Sequence, residues 1–166
     1  MTPNLLIFAL AALIPLIMGF IWYNPKVFGT VWMETSGLTE EKIKGANMPL
    51  VFILCYIFSF MIASAVNSIV IHQGHIYSIL LNEAGFSQTG SEVNNLIVSF
   101  MEKYGKNFRT FKHGAFHGIL FGIFLVLPVI ATNALFERKG FKYIAINSGY
   151  WIVCLAIMGG IICEFG

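Results

Sequence analysis

The sequence predicts an all-α integral membrane protein, a four-helix bundle with an amphipathic helix in its long second loop. Four apolar runs carry that prediction, at residues 5–23, 49–71, 115–136 and 141–163. Each is close to the roughly 20 residues a helix needs to cross a hydrocarbon core of about 30 Å. A chain of 166 residues has too little other material to hide four such runs in a soluble core. Composition agrees: 57% of residues are hydrophobic, 11% are charged and the mean hydropathy is +0.78, whereas soluble domains are about a quarter charged. In hydrocarbon every peptide group must find its partner inside the structure, so the runs read as helices. They lack the alternation of barrel strands. Residues 1–166 form a single domain on this reading.

The first span follows Thr2, Pro3 and Asn4. No Lys or Arg precedes it, and Trp22-Tyr23-Asn24-Pro25 stands where a signal peptide would carry small residues, so a permanent span is expected. Pro15 inside it predicts a kink. The loop 25–48 contains Thr39-Glu40-Glu41-Lys42, a capping residue followed by acids, which predicts the start of a short helix. Asn47-Met48-Pro49 opens the second span, with proline near its permitted first turn. The second loop, 72–112, is the longest polar segment. In it Val93, Leu96, Ile97, Phe100, Met101 and Tyr104 recur at helical spacing, with Thr89 or Ser91 as a start and Gly105 as a stop. This predicts an amphipathic helix over 91–104 that lies on the bilayer, lids the bundle or docks a partner.

The third span begins near Lys112-His113, with Gly114, Gly118 and Gly122 on one face for close helix packing. Pro128 predicts a second bend. The short connection 137–142 makes the last two spans antiparallel neighbours. Asn67, Thr132, Asn133, Asn147, Ser148, Tyr150 and Trp151 are polar or amphipathic groups at membrane depth. They read as interhelical hydrogen bonds worth about 0.6–2 kcal/mol each, or as the lining of a polar cavity.

An even number of spans puts both termini and the second loop on one face, A, and the first and third loops on the other, B. Face B carries Lys26, Lys42, Lys44, Arg138, Lys139 and Lys142, whereas face A carries Lys103, Lys106, Arg109 and Lys112. The positive-inside rule then places face B in the cytoplasm and both termini with the second loop outside it. A net charge of +2 gives no reason to expect nucleic acid. The odd set Cys55, Cys154 and Cys163 lies within spans and reads as small core hydrophobes.

Several motifs carry a family likeness. They are Trp22-Tyr23-Asn24-Pro25-Lys26-Val27-Phe28-Gly29 with Trp32, Leu38-Thr39-Glu40-Glu41 and Lys44-Gly45-Ala46-Asn47-Met48. Asn133-Ala134-Leu135-Phe136-Glu137-Arg138 and Ile146-Asn147-Ser148-Gly149-Tyr150-Trp151 extend it. The chain resembles the DUF1761 family over almost its whole length, apart from much of the second loop. Phe111-Lys112-His113-Gly114-Ala115-Phe116-His117-Gly118 and the longer loop resemble a subgroup. The resemblance implies a small bacterial inner-membrane protein with four helices, and brings neither a reaction nor a site.

One constellation carries chemistry. All four histidines fall on face A: His72 and His75 follow the second span, and His113 and His117 begin the third at i and i+4. Imidazoles from two neighbouring helices suit a transition metal, to which Glu164 on the same face adds an oxygen. A bis-histidine haem between helices is the formal alternative. The plainer reading is histidines hydrogen-bonded at the interface. His72, His113 and His117 lead the candidates, because Gly74 suggests that the helix has ended before His75.

On face B, Trp22, Tyr23, Trp32, Asn47, Glu137 and Arg138 form an aromatic belt or a headgroup cluster. Glu137, at a helix C-terminus, opposes the macrodipole and is expected to have a partner. No nucleophile elbow, P-loop or dinucleotide fingerprint occurs in the chain. The functional expectation is a non-catalytic accessory subunit that binds another membrane protein or itself. The alternatives are a metal- or haem-binding protein and a small transporter or channel subunit.

Overall fold

The computed structural model describes residues 4–166, apart from the side chain of Glu40, and every regular element among them is helical. The helices are α1 (Leu5–Ala11), α2 (Leu13–Trp22), α3 (Gly29–Ser36), α4 (Glu40–Lys44), α5 (Met48–Val70), α6 (Gly74–Ile79), α7 (Glu92–Tyr104), α8 (Phe111–Phe121), α9 (Leu127–Phe136) and α10 (Phe141–Phe165). A π-helical turn, Gly122–Val126, joins α8 to α9. Four stretches are long and apolar enough to cross a membrane: Leu5–Trp22, Met48–Val70, Phe111–Phe136 and Phe141–Phe165.

Local chemistry sets the boundaries. Asn4, Thr39, Asn47, Ser91 and Thr110 each accept a backbone N–H of the helix they open. The Thr110 cap starts the third span at Phe111, four residues before the expected 115, because capping and not hydropathy fixes the first turn. The first span breaks at Ala12. Pro15 has no N–H, so the carbonyl four residues earlier, on Ala11, loses its helical donor. In the third span the wide turn Gly122–Val126 immediately precedes Pro128, and the missing donor is accommodated there. Two short helices, α3 and α6, have no apolar periodicity and were not foreseen. Gly74 opens α6 instead of marking the end of the second span, which stops at Val70.

The fourth span is the axis of the fold. Of its most apolar stretch 56% is buried, against 22% or less in the other three. Phe8 and Ala11 of α1, Ala63, Val66 and Val70 of α5, and Leu155, Met158 and Ile162 of α10 make one core. Beside this core α8 crosses α10 with almost no side chain between them. A Cβ on Gly114 would overlap the Gly159 carbonyl, and one on Gly118 would overlap that of Leu155. Cys154 and Cys163 are buried as expected, but Cys55 faces outward.

Candidate metal centre

The second loop ties the spans together on face A. Gln73, buried just after α5, donates through Nε2 to the Asn107 carbonyl at 2.6 Å and to that of Tyr104 at 3.4 Å. It thereby satisfies a carbonyl at the C-terminal end of α7. Arg109 donates through Nε to the Cys163 carbonyl at 2.7 Å and through its guanidinium to that of Gly166. A cation against the last carbonyls of α10 complements the negative end of the helix dipole. The Cys163 thiol reaches the carbonyls of Val70 and Phe108, both at 3.4 Å. Phe108 takes a left-handed conformation at φ 59°, which turns the chain into the Thr110 cap of α8.

These anchors place His72, in the turn after α5, opposite His113 and His117 on α8. His72 Nε2 lies 3.0 Å from His113 Nε2 and 3.3 Å from His117 Nε2. One ligand nitrogen from each of the three rings lies within 4.8 Å of the others. His72 is exposed, whereas His113 and His117 are half-buried. The Phe108 ring tilts over His113 at 5.2 Å, and Phe116 meets His117 edge-on at 5.6 Å. Burial, followed by the neighbouring His113 and His75 rings, pushes the His72 imidazole below its ordinary pKa and favours the neutral, ligand-ready form.

Hydrogen bonds within the trio do not satisfy all three nitrogens. A neutral imidazole nitrogen carries either one proton or one in-plane lone pair. His72 Nε2 therefore makes a good bond to one of its two neighbours and leaves the other to solvent or to a shared ligand. A shared cation would satisfy all three nitrogens. Tetrahedral zinc at about 2.0–2.1 Å from each nitrogen would put the nitrogens about 3.3 Å apart, close to the two separations measured from His72.

The other candidates fall outside the trio. The His75 ring centre is 6.3 Å from that of His72. Glu164 is exposed in the last turn of α10, and its carboxylate is not among the converging atoms. Gln73 and Arg109, which position the trio, were missed by sequence reasoning. The only hint was their placement beside His72 and beside the Thr110 cap.

On face B, Trp22 and Tyr23 turn toward α10. Trp22 Nε1 donates to the Ile146 carbonyl at 3.1 Å, and the Tyr23 hydroxyl donates to Asn147 Oδ1 at 3.2 Å. The Trp32 ring meets that of Tyr23 at a tilt, with centres 4.8 Å apart, and Asn47 caps α5. Glu137 is exposed, and its carboxylate has none of the expected hydrogen-bond or ion-pair partners among the described residues. Arg138 adopts φ 56° in the turn after α9. Lys139, not among the predicted residues, bridges the loops by donating to the Ser36 carbonyl at 2.8 Å.

Four bilayer-length helices without strands among the described residues define a multi-pass membrane protein, with a trio of imidazoles gathered where two spans meet. A family model described as a protein of unknown function (DUF1761) matches residues 6–163, and the chain belongs to that family. No curated protein and no solved structure matches it.

Proposed function

We propose that this chain is a membrane metal-binding protein in which the Nε2 atoms of His72, His113 and His117 hold one transition-metal ion and leave a position open for an exogenous ligand. The observation that carries it is the meeting of three imidazole nitrogens, one from the turn after the second span and two from the start of the third, with separations from His72 of 3.0 and 3.3 Å. An all-nitrogen set suits zinc, copper, nickel or iron and not the oxygen-seeking calcium or magnesium. Three protein ligands with a free fourth position are the pattern of reactive, not purely structural, zinc sites. Haem fits less well. Its axial imidazoles stand on opposite faces of a flat macrocycle, whereas these nitrogens meet with nothing between them.

In this reading the four spans form a bundle across a bacterial inner membrane with α10 at its centre, α7 lies at the face A surface, and face A is turned away from the cytoplasm. Ile97 faces inward from α7 while Leu96 and Val98 are exposed, which suits a helix resting on lipid. The accessory-subunit alternative draws on the same exposed apolar surface, but contact with lipid already accounts for that surface.

The test is elemental analysis of untagged protein purified in mild detergent. About one metal ion per chain is expected, falling to background in a His113→Ala, His117→Ala variant that keeps its helical circular-dichroism spectrum. Metal-free protein that takes up no zinc, copper, nickel or iron on titration overturns the proposal, and a Soret band replaces it with haem.

A further inference from the structure

The row of residues that holds the α8 histidines continues into the membrane. His113, His117, Phe121 and Leu125 succeed one another every four residues, each one position before Gly114, Gly118, Gly122 and Val126. The glycines pack on α10, so the neighbouring row faces the space beside α5. There a groove of about 360 Å³ opens between the second and third spans, lined by Met61, Ala65, Phe121, Leu125, Trp151 and Leu155 among others. Its upper end, Phe121, follows His117 by one helical turn, about 6 Å at about 1.5 Å per residue.

Three features decide what the groove takes. Every lining residue is apolar or aromatic, and the groove lies within the spanning helices, open to the side where Met61 is 62% exposed. Its size is at the lower end of small-ligand pockets, which run from about 300 to about 1,000 Å³. A helix with its side chains is about 10–12 Å across and does not fit such a space, whereas a single hydrocarbon chain does. The wall on the α8 side is made by Phe121, Leu125 and Val126, where the wide turn that accommodates Pro128 begins.

We propose that the groove holds an acyl chain, and that the ligand of the histidine centre is a lipid-derived amphiphile with its polar end at the metal and its chain along the third span. The polar half rests on the metal reading above. The chain half rests on the groove alone.

The test uses the full chain in detergent, loaded with Co2+ and assayed for cobalt content first. Dodecanoate and acetate are titrated separately and the cobalt visible band is followed. A dodecanoate carrying a terminal diazirine is then photolysed and its attachment sites are mapped. Ala65→Trp, on the groove wall at an exposed position, is expected to raise the half-saturating dodecanoate concentration about tenfold. It is expected to leave the acetate response and cobalt content unchanged, and Leu125→Trp to do the same. The diazirine is expected to label Met61, Leu125 or their groove neighbours.

Labelling spread evenly over the outward residues of all four spans overturns the proposal, because the groove is then ordinary lipid-facing surface. Equal dodecanoate responses from the parent chain and both tryptophan variants overturn it too. So does exclusion of the probe by a second copy, seen as groove residues crosslinking between chains. A chain that takes up neither cobalt nor zinc, copper, nickel or iron sinks the metal reading and the polar half with it, while the labelling, which needs no metal, decides the chain half by itself.

Discussion

His72 sits where burial and two neighbouring imidazoles, His113 and His75, disfavour its charged form. Its folded-state pKa is lowered, so in metal-free protein the folded chain binds fewer protons than the unfolded one as pH falls below about 6.5. This contribution to stability is complete above that pH and is lost as pH falls through the lowered value. Thermal unfolding of the metal-free protein is therefore expected to show a falling Tm on acidification below about 6.5, and His72→Gln to flatten that fall. An unchanged slope in the variant would assign the acid sensitivity elsewhere. A second prediction at this scale concerns Tyr150, buried at membrane depth, whose hydroxyl donates to the Pro15 carbonyl at 2.6 Å. Tyr150→Phe removes that bond between the first and fourth spans and is expected to cost about 0.6–1.7 kcal/mol, read from unfolding in mixed micelles. The four histidines could be read directly from the sequence because few residue types bind metal. Gln73 and Arg109 could not, because each acts on a backbone carbonyl that sequence does not locate.

Among the elements, the crossing of α8 and α10 has the least tolerance. A methyl group on Gly118 would run into the Leu155 backbone, which a rotamer change cannot relieve. Gly118→Ala is expected to destabilise by about 1–3 kcal/mol or more. It is also expected to weaken metal uptake, because both α8 histidines move with the helix. Gly140→Ala is the control, since nothing lies within 4 Å of a Cβ there. Equal melting temperatures for the two variants would show that the crossing is not close-packed. The glycine spacing could be read as a packing face, and so could the Pro15 break and the Thr39 cap. The helices α3 and α6 could not. They are short, and their positions follow from contacts such as the Lys139 bond to Ser36 and not from any pattern of their own.

For the whole molecule, the second loop and the 137–142 connection lie at opposite ends of the third span. Single cysteines placed at Ser87 and at Gly140, in a chain with Cys55→Ser, are expected to react with an impermeant maleimide from opposite sides of a sealed vesicle. Reaction from one side would remove the four-span arrangement and the histidine trio with it. The number of spans was written in hydropathy alone, because a bilayer imposes a length. Which span stands at the centre left a fainter trace: the fourth is the least apolar of the four, with Asn147, Ser148 and Tyr150 in its first half, but only packing puts α10 at the axis.

The wide turn Gly122–Val126 also has a consequence for sequence change. It holds more residues per revolution than the helices on either side, so it takes up one extra residue while the two halves of the third span stay nearly in register. Deleting one residue there would let an ordinary helix run through with the flanks still in phase. Ala134, now fully buried, would stay turned to the core, and His113 and His117 would keep their bearing. The segment is thus a place where a single-codon loss is absorbed, at the expense of the wide turn alone.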